Sequence, residues 1–342
     1  MLSVCVPTYN GATYLTACLD SILSQSFADF EVVIVDDGSS DETPEIIRKF
    51  AALDARVKTI HNDKNLGLVE NWNRCIDLAQ GEWIKFVFQD DVLSADCLHE
   101  MQLAASDGVR FVACNRKFQF ESGTTDQTRR FYLDHKLLVE TLFANRTSTT
   151  AQEFAALACE RIGANLVGEP TCTLIHRSVF EELGRFNPDL IMSCDLEYWL
   201  RIGIHVGIRF IQRELVTFRV HARATSALNR RDRQYRMNVI DDLLIWHDVV
   251  HHATYAPIRD AACARTPPVP LKRILSRKAH EARVTAERMD RARAPRERSV
   301  LADWRACTAR YPALRVGGVN HFVWCVRNQG VAEAAKRGLL EN

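Results

Sequence analysis

Short apolar runs alternate with stretches of helical spacing through the first third of the chain. The runs at residues 3–6, 31–35, 57–61, 83–88 and 110–114 are rich in Val, Ile, Phe and Trp. Runs of this kind read as short strands. Between them, residues 12–24, 44–53, 68–79 and 95–105 read as helices. Thr43-Pro44 and Ser94 resemble helix starts, and Gly81 stands where a helix C-terminus takes a glycine. Strands separated by helices of about 10–15 residues predict βαβ units and a mostly parallel sheet.

The pattern then loosens. Residues 118–150 are polar and rich in Thr and Arg, which predicts a loop or lid. A helix at 151–161, a strand at 171–176 and a helix at 177–183 follow. After a loop at 184–193 come a helix at 195–202 and two strands, 209–211 and 215–220. Past residue 222 the β-character fades. Residues 236–252 and 271–293 read as helices, joined by the stiff segment Thr266-Pro267-Pro268-Val269-Pro270.

Composition adds little by itself. At 342 residues, 47% apolar and 25% charged, the chain has the make-up of a globular protein with a sizeable core. Its net charge of +1 selects no partner, but the charge is unevenly spread. Residues 231–342 hold 21 Lys and Arg against 12 Asp and Glu, so the front part is acidic. An acidic front suits a cation-assisted site. A basic tail suits an anionic surface such as phospholipid or a phosphorylated acceptor, or is simply a set of solvated Arg-rich helices. Eleven cysteines show no C-x-x-C pair, and Cys5, Cys114 and Cys172 sit inside apolar runs as expected core residues. An odd count without a framework points to a reducing compartment. Met1 leads directly into a strand, so no signal peptide is expected, and no apolar run approaches the length of about 18 residues that spans a membrane.

Chemistry gathers where strands end. In open α/β sheets, ligands bind outside the carboxyl ends of the strands. The first run ends in Pro7-Thr8-Tyr9-Asn10, where a tyrosine can stack on a flat base. The second ends in Asp36-Asp37-Gly38-Ser39-Ser40, where Asp37 can accept from a ribose or a base and Asp36 can cap the loop; such residues also make ordinary turns. The fourth ends in Gln89-Asp90-Asp91. Adjacent carboxylates repel unless a cation or donor compensates them, and Mg2+ or Mn2+ shared with substrate phosphates does so economically. Further on, Asp195, Tyr198 and Trp199 share a helical face. A carboxylate among aromatics gains basicity, as a general base needs, and the rings can pack on a sugar. Glu197 is expected in solvent or paired with Arg201. In Phe218-Arg219-Val220-His221, strand alternation sets Arg219 and His221 on one face, one for a phosphate and one for a metal.

In this order, the segments resemble the family 2 glycosyltransferases of the GT-A fold over roughly residues 1–226. The parts are LSVCVPTYN, FEVVIVDDGSSDET, Asn65-Leu66-Gly67 through Asn73, FVFQDDVL, Glu169-Pro170-Thr171, CDLEYWLR and FRVHARATS. The resemblance implies an α/β GT-A fold, with a mostly parallel central sheet flanked by helices and a mainly helical C-terminal extension. It implies a transferase domain over 1–226, with a nucleotide part to about 115 and an acceptor side beyond, then a basic helical region over 227–342. Pro7, Tyr9, Asn10, Asp37, Asn65, Asp90 and Arg219 then match positions around the nucleotide sugar. Asp91 and His221 match positions for Mn2+ or Mg2+, Asp195 the catalytic base, and Glu169, Tyr198 and Trp199 the acceptor side. The expected reaction is inverting transfer from a nucleotide-diphosphate sugar, UDP-linked by preference, to a hydroxyl of a saccharide or lipid-linked acceptor in surface polysaccharide or glycan biosynthesis. The expected location is cytoplasmic, at the inner face of the membrane through the basic tail, which would otherwise serve a homodimer.

Two positions depart from the family pattern. Phe88 stands where many relatives have the first Asp of the acidic motif, and Cys194 stands where Glu is frequent. They leave open a non-catalytic sugar-nucleotide-binding scaffold or sensor. A nucleotidyltransferase is disfavoured by the lack of a Gly-rich, Lys- or Arg-containing N-terminal phosphate loop. Direct nucleic-acid binding is disfavoured because no aromatic residues interleave the Arg-rich tail.

Overall fold

The computed structural model describes residues 1–106, 108–292 and 299–316. Residue 293 of the expected helix 271–293 and residues 317–342 of the basic tail lie outside the described residues. The chain forms two compact units. The first is Met1–Ala158 with Ala164–Ala227, and the second is Cys159–Gly163 with the chain from Leu228 onward.

The first unit is built on nine strands: β1 (Leu2–Thr8), β2 (Phe30–Asp36), β3 (Val57–His61), β4 (Trp83–Phe86), β5 (Val92–Leu93), β6 (Phe111–Phe120), β7 (Ser148–Thr149), β8 (Thr173–His176) and β9 (Ile208–Val220). They form one mixed sheet in the order β3-β2-β1-β4-β8-β6-β9-β5, with β7 on β9. The β3-β2-β1-β4 half is parallel throughout. β8 then joins β4 and β6 antiparallel, while β6 and β9 run parallel. Every residue of β1 and β2 is buried. That two-sided cover is why these strands appear as unbroken apolar runs rather than alternating ones. Parallel register pairs Thr8 with Asp36 and Asp36 with His61, so the polar turns after β1 and β2 open on the same edge of the sheet.

Helices α1 (Ala12–Leu23), α2 (Thr43–Leu53), α3 (Leu68–Leu78), α4 (Cys97–Ala104), α5 (Asp126–Phe143), α6 (Ala151–Ala158), α7 (Arg177–Leu183) and α8 (Cys194–Val206) accompany the sheet. Leu15, Cys18, Leu19 and Ile22 of α1 join Val4, Val6, Val32 and Ile34 of the sheet in one core. Cys5, Cys114 and Cys172 are fully buried, and the cysteines among the described residues carry free thiols.

Three expectations are corrected. The loop expected at 118–150 is largely ordered: β6 runs on to Phe120, and α5 follows with Thr125 capping it through a bond from the Thr128 amide. Its apolar seam is thin, limited to buried Tyr132, Val139 and Phe143, and its polar remainder hid the period. The two strands expected at 209–211 and 215–220 are one, with register shifts opposite Cys114-Asn115-Arg116 that locally break the pairing. Gly81 is not a helix cap. A Cβ there would lie 2.6 Å from the Ser3 backbone nitrogen, and its own N–H donates to Ser3 Oγ at 2.7 Å. Glycine is required because two backbones meet.

The second unit is helical. Its helices Asp241–His251, Ala256–Ala264, Leu271–Arg291 and Val300–Arg310 bury Leu243, Leu244, Ile258, Leu275, Ala279 and Ala282. Among the described residues, no helix is long and apolar enough to cross a membrane.

Candidate active site

The turns after β1, β2 and β4 are tied together by hydrogen bonds from side chains of the turns themselves. Gln89 brackets Tyr9, accepting its N–H at 2.9 Å and donating to its carbonyl at 3.1 Å. A Cβ on Gly11 would strike the same amide at 2.2 Å. The Tyr9 ring is left 48% exposed, while Pro7 lies buried within β1. Asn10 adopts φ 47°, a left-handed conformation that asparagine tolerates. It receives the Ser40 amide and donates its own to Ser39, both at 2.8 Å. Asp36 does cap this loop, accepting from the Ser39 amide and contacting His61 Nδ1 at 2.8 Å.

Asp37 is buried at the foot of α3. Its Oδ1 accepts from Asn62 Nδ2 and the Leu66 amide, both at 2.8 Å, and its Oδ2 from the Gly67 amide at 2.9 Å. The free N–H groups and positive dipole end of a helix N-terminus favour a carboxylate there. Gly67, at φ 92°, makes the turn that aims these amides. Asn65 donates to the Asp37 carbonyl at 3.2 Å, so the two expected nucleoside residues are neighbours.

The acidic turn is the most charged part of the site. Asp91 is wholly buried, and burial first, then the neighbouring Asp90, push its carboxyl well above the usual carboxylate range. Its Oδ2 accepts from the Thr171 hydroxyl at 2.5 Å and its Oδ1 from the Arg219 amide at 3.2 Å. Asp90 meets His221 Nε2 at 2.9 Å. Phe88, in place of an acid, packs against Trp72 with ring centroids 4.8 Å apart. Tyr14 leans on the His221 ring at 4.5 Å and its hydroxyl binds Glu121. The Arg219 and Arg223 guanidinium groups lie 5.4 and 5.5 Å from the Tyr14 ring centre. Tyr14 and Arg223 are close in sequence to PTYN and FRVH, a usable signal; Glu121 gives none.

These residues fit a hard divalent cation. His221 Nδ1 is buried with no hydrogen-bond partner, its Nε2 meets Asp90, and the charge of Asp90 opposes that of Asp91. Two oxygen donors and one imidazole suit Mg2+ or Mn2+. Among the described residues no ready-made group of three or more acidic, His or Cys ligands exists. A cation bound here would therefore take one or two of these side chains and complete its shell with substrate phosphates.

Asp195 lies in the first turn of α8. Its Oδ1 accepts the Leu196 amide at 2.7 Å. Burial, with a smaller push from Glu169, raises its pKa to about 7. Glu169 pairs with Arg116 Nε at 2.8 Å, and Arg116 is fully buried against Gly168. The expected acceptor-side aromatics are corrected. Tyr198 and Trp199 are core residues, 0% and 1% exposed, and offer no ring to a sugar. Tyr198 donates to the Gly184 carbonyl at 3.0 Å and Trp199 Nε1 to the Gly168 carbonyl at 2.8 Å. A buried aromatic with a polar edge uses that edge, and here Trp199 fastens the Gly168-Glu169 segment to α8. Glu197 is buried and pairs with Arg201 at 2.8 Å.

The chain matches the profile of Glycosyl transferase family 2 over residues 3–184, more than half its length. It is 46% identical over 99 residues to a PGL/p-HBAD biosynthesis glycosyltransferase of Mycobacterium bovis, covering 29% of this chain and 39% of that one. Among solved structures it resembles Staphylococcus aureus TarS 1–349 in complex with UDP-GlcNAc, with TM-score 0.56, 17% identity and 91% of each chain covered. It also resembles a Pyrobaculum calidifontis mannosyltransferase in complex with GDP-Man and Mn2+, with TM-score 0.55 and 20% identity over 94% of this chain and 86% of that one. At such identities the two structures establish the fold. Asp195, Arg219 and His221 lie beyond the matched residues.

Proposed function

This chain belongs to glycosyl transferase family 2, and on that premise we propose that it moves a sugar from a nucleotide-diphosphate donor to an acceptor hydroxyl with inversion. The observation that carries this is a division of labour between carboxylates. One cluster, Asp90, Asp91 and His221, suits a cation, while Asp195, on α8, has a basicity near neutrality. Two carboxylates whose environments differ are suited to different duties.

Asp91 and His221 would hold Mg2+ or Mn2+, which would neutralise charge gathering on the leaving diphosphate. Arg219 and Arg223 bring fixed positive charge beside the acidic turn, available to the same phosphates. Tyr9 offers its exposed ring to the base, with Pro7, Asn10, Asp37, Asn65 and Asp90 around the nucleoside. Asp195 takes the acceptor proton as the acceptor oxygen attacks the anomeric carbon from the face opposite the nucleotide. One displacement of this kind turns an α-linked donor into a β-linked product. Glu169 borders the acceptor side through its effect on Asp195.

The donor nucleotide is expected to be UDP, on the likeness to a fold relative solved with UDP-GlcNAc, with GDP the competitor. The acceptor is expected to be a saccharide or lipid-linked glycan of a surface polysaccharide, at the cytoplasmic face of the membrane. The excess of Lys and Arg beyond residue 231 suits peripheral contact with anionic lipid, or a homodimer interface. Nucleoside-diphosphate release from UDP-, GDP- and dTDP-sugars, with Mn2+, Mg2+ or EDTA, tests the proposal. Release from one donor, abolished by EDTA, supports it. Tight donor binding without turnover, lipid and saccharide acceptors included, overturns it.

The pH profile carries its own expectation. A base works only when ionised, so kcat/KM should rise with pH through about 7. Glu169→Gln should move that limb to lower pH, because removing its negative charge eases ionisation of Asp195. A limb near the ordinary Asp pKa in the unaltered enzyme would contradict the assignment.

A further inference from the structure

Tyr14, in the first turn of α1, gathers four side chains from far along the chain. The His221 ring lies 4.5 Å from its ring centre, tilted by 44°. The Arg219 and Arg223 guanidinium carbons lie 5.4 and 5.5 Å from the same centre. The hydroxyl has two partners of its own. Glu121, just past β6, accepts from it, since an ionised carboxylate only accepts. Arg223 Nη2 donates to the same oxygen at 3.5 Å. Hydrogen bonds thus run from Arg223 through Tyr14 to Glu121. Two guanidinium groups drawn to one ring repel each other, and the negative ring face and the Glu121 carboxylate offset that repulsion. Among the described residues, no carboxylate forms an ion pair with Arg219 or Arg223, and Glu121 is held by the tyrosine hydroxyl between them. Two cationic heads are therefore set side by side with their charge unmatched, as a doubly charged anion requires.

We propose that Tyr14 is a positioning residue for the leaving diphosphate: its ring carries the Arg219 and Arg223 guanidinium groups, and its hydroxyl, tied to Glu121, holds Arg223. This rests on the proposed role of both arginines on the donor's phosphates. Fixing a long arginine side chain in one geometry costs conformational entropy. Tyr14 fixes both in the fold itself, so less freedom is lost when phosphates bind. Glu121 keeps the two like charges together until a donor supplies its own negative charge.

The test compares wild type with Tyr14→Phe, Tyr14→Leu, Arg219→Ala, Arg223→Ala and the pair Tyr14→Leu with Arg223→Ala. Binding of UDP and of UMP, each with Mg2+ present, is measured by calorimetry; GDP and GMP take their place if wild type prefers guanine nucleotides. The ratio of the two dissociation constants isolates the second phosphate. Tyr14→Leu should weaken UDP binding by about tenfold or more and UMP binding much less. Tyr14→Phe keeps the ring and should fall between leucine and wild type. Arg223→Ala should cost less in the Tyr14→Leu background than alone, because residues that act through one another are not additive. If leucine prevents folding, Tyr14→Phe with Arg223→Ala completes the same cycle through the hydroxyl. A wild-type ratio in Tyr14→Leu overturns the proposal. So does an equal loss of UDP and UMP, which marks a merely structural tyrosine, and so does additivity in the double variant. The arginine variants separate the failures: weak UDP binding there with normal binding in the Tyr14 variants removes only this proposal, while normal UDP binding in Arg219→Ala and Arg223→Ala removes their phosphate role as well.

Discussion

Asp195→Asn should lower transfer by about 10²–10⁴-fold, the usual contribution of a positioned general base, while donor binding stays close to wild type. The asparagine has the same shape and can still accept the Leu196 amide that holds Asp195 Oδ1. It cannot take a proton from an acceptor. The variant should also be no less stable. Burial raises the Asp195 pKa to about 7, far above its unfolded value, so the folded state binds more protons than the unfolded state between roughly pH 4 and 7. Stability contributed by this group is present at low pH and lost as pH rises through about 7. At pH 8 a neutral amide removes that penalty, so the unfolding temperature should equal or exceed that of wild type. Kinetics and thermal unfolding on the same sample check both halves. A variant that is inactive and also destabilised, or that binds donor weakly, would make Asp195 a structural residue.

Asp91→Asn should have the other large effect, a loss of about three orders of magnitude in metal-dependent donor turnover, corresponding to several kcal/mol of charge stabilisation. The amide keeps an acceptor for the Arg219 N–H and a group for the Thr171 hydroxyl, so circular dichroism should match wild type. Excess Mn2+ should recover only part of the rate. Full activity in EDTA, in the variant or in wild type, would show that the acidic turn serves something other than a cation.

Much of the architecture was legible because the chain announces it locally. β1 and β2 are buried on both faces, so they must be continuous apolar runs, and β3 was bounded to the residue. Parallel pairing then places the turns at Tyr9, Asp36 and Asp37 on one edge. α5 escaped detection because a surface helix with three buried residues needs little periodicity. The unbroken β9 escaped because its irregular register against β6 looks like a gap when β9 is seen alone.

The site divides along the same line. Sequence determined the residue types: acids after β4, an acid opening α8, and Arg219 and His221 alternating at the end of β9. Family order determined what those types are for. Only tertiary structure decided how they stand. Tyr198 and Trp199 share a helical face with Asp195, but whether that face meets solvent or Phe111, Phe180 and Phe186 depends on distant elements, and it meets the aromatics. Glu121 reaches Tyr14 across 107 residues of chain, and Thr171 reaches Asp91 across 80. Such pairs leave no trace in spacing, because a hydrogen bond constrains position in space while periodicity records only neighbours along the backbone. The chemistry on offer was written in the order of the residues; which oxygen is held, which is buried and which stays open was settled by packing.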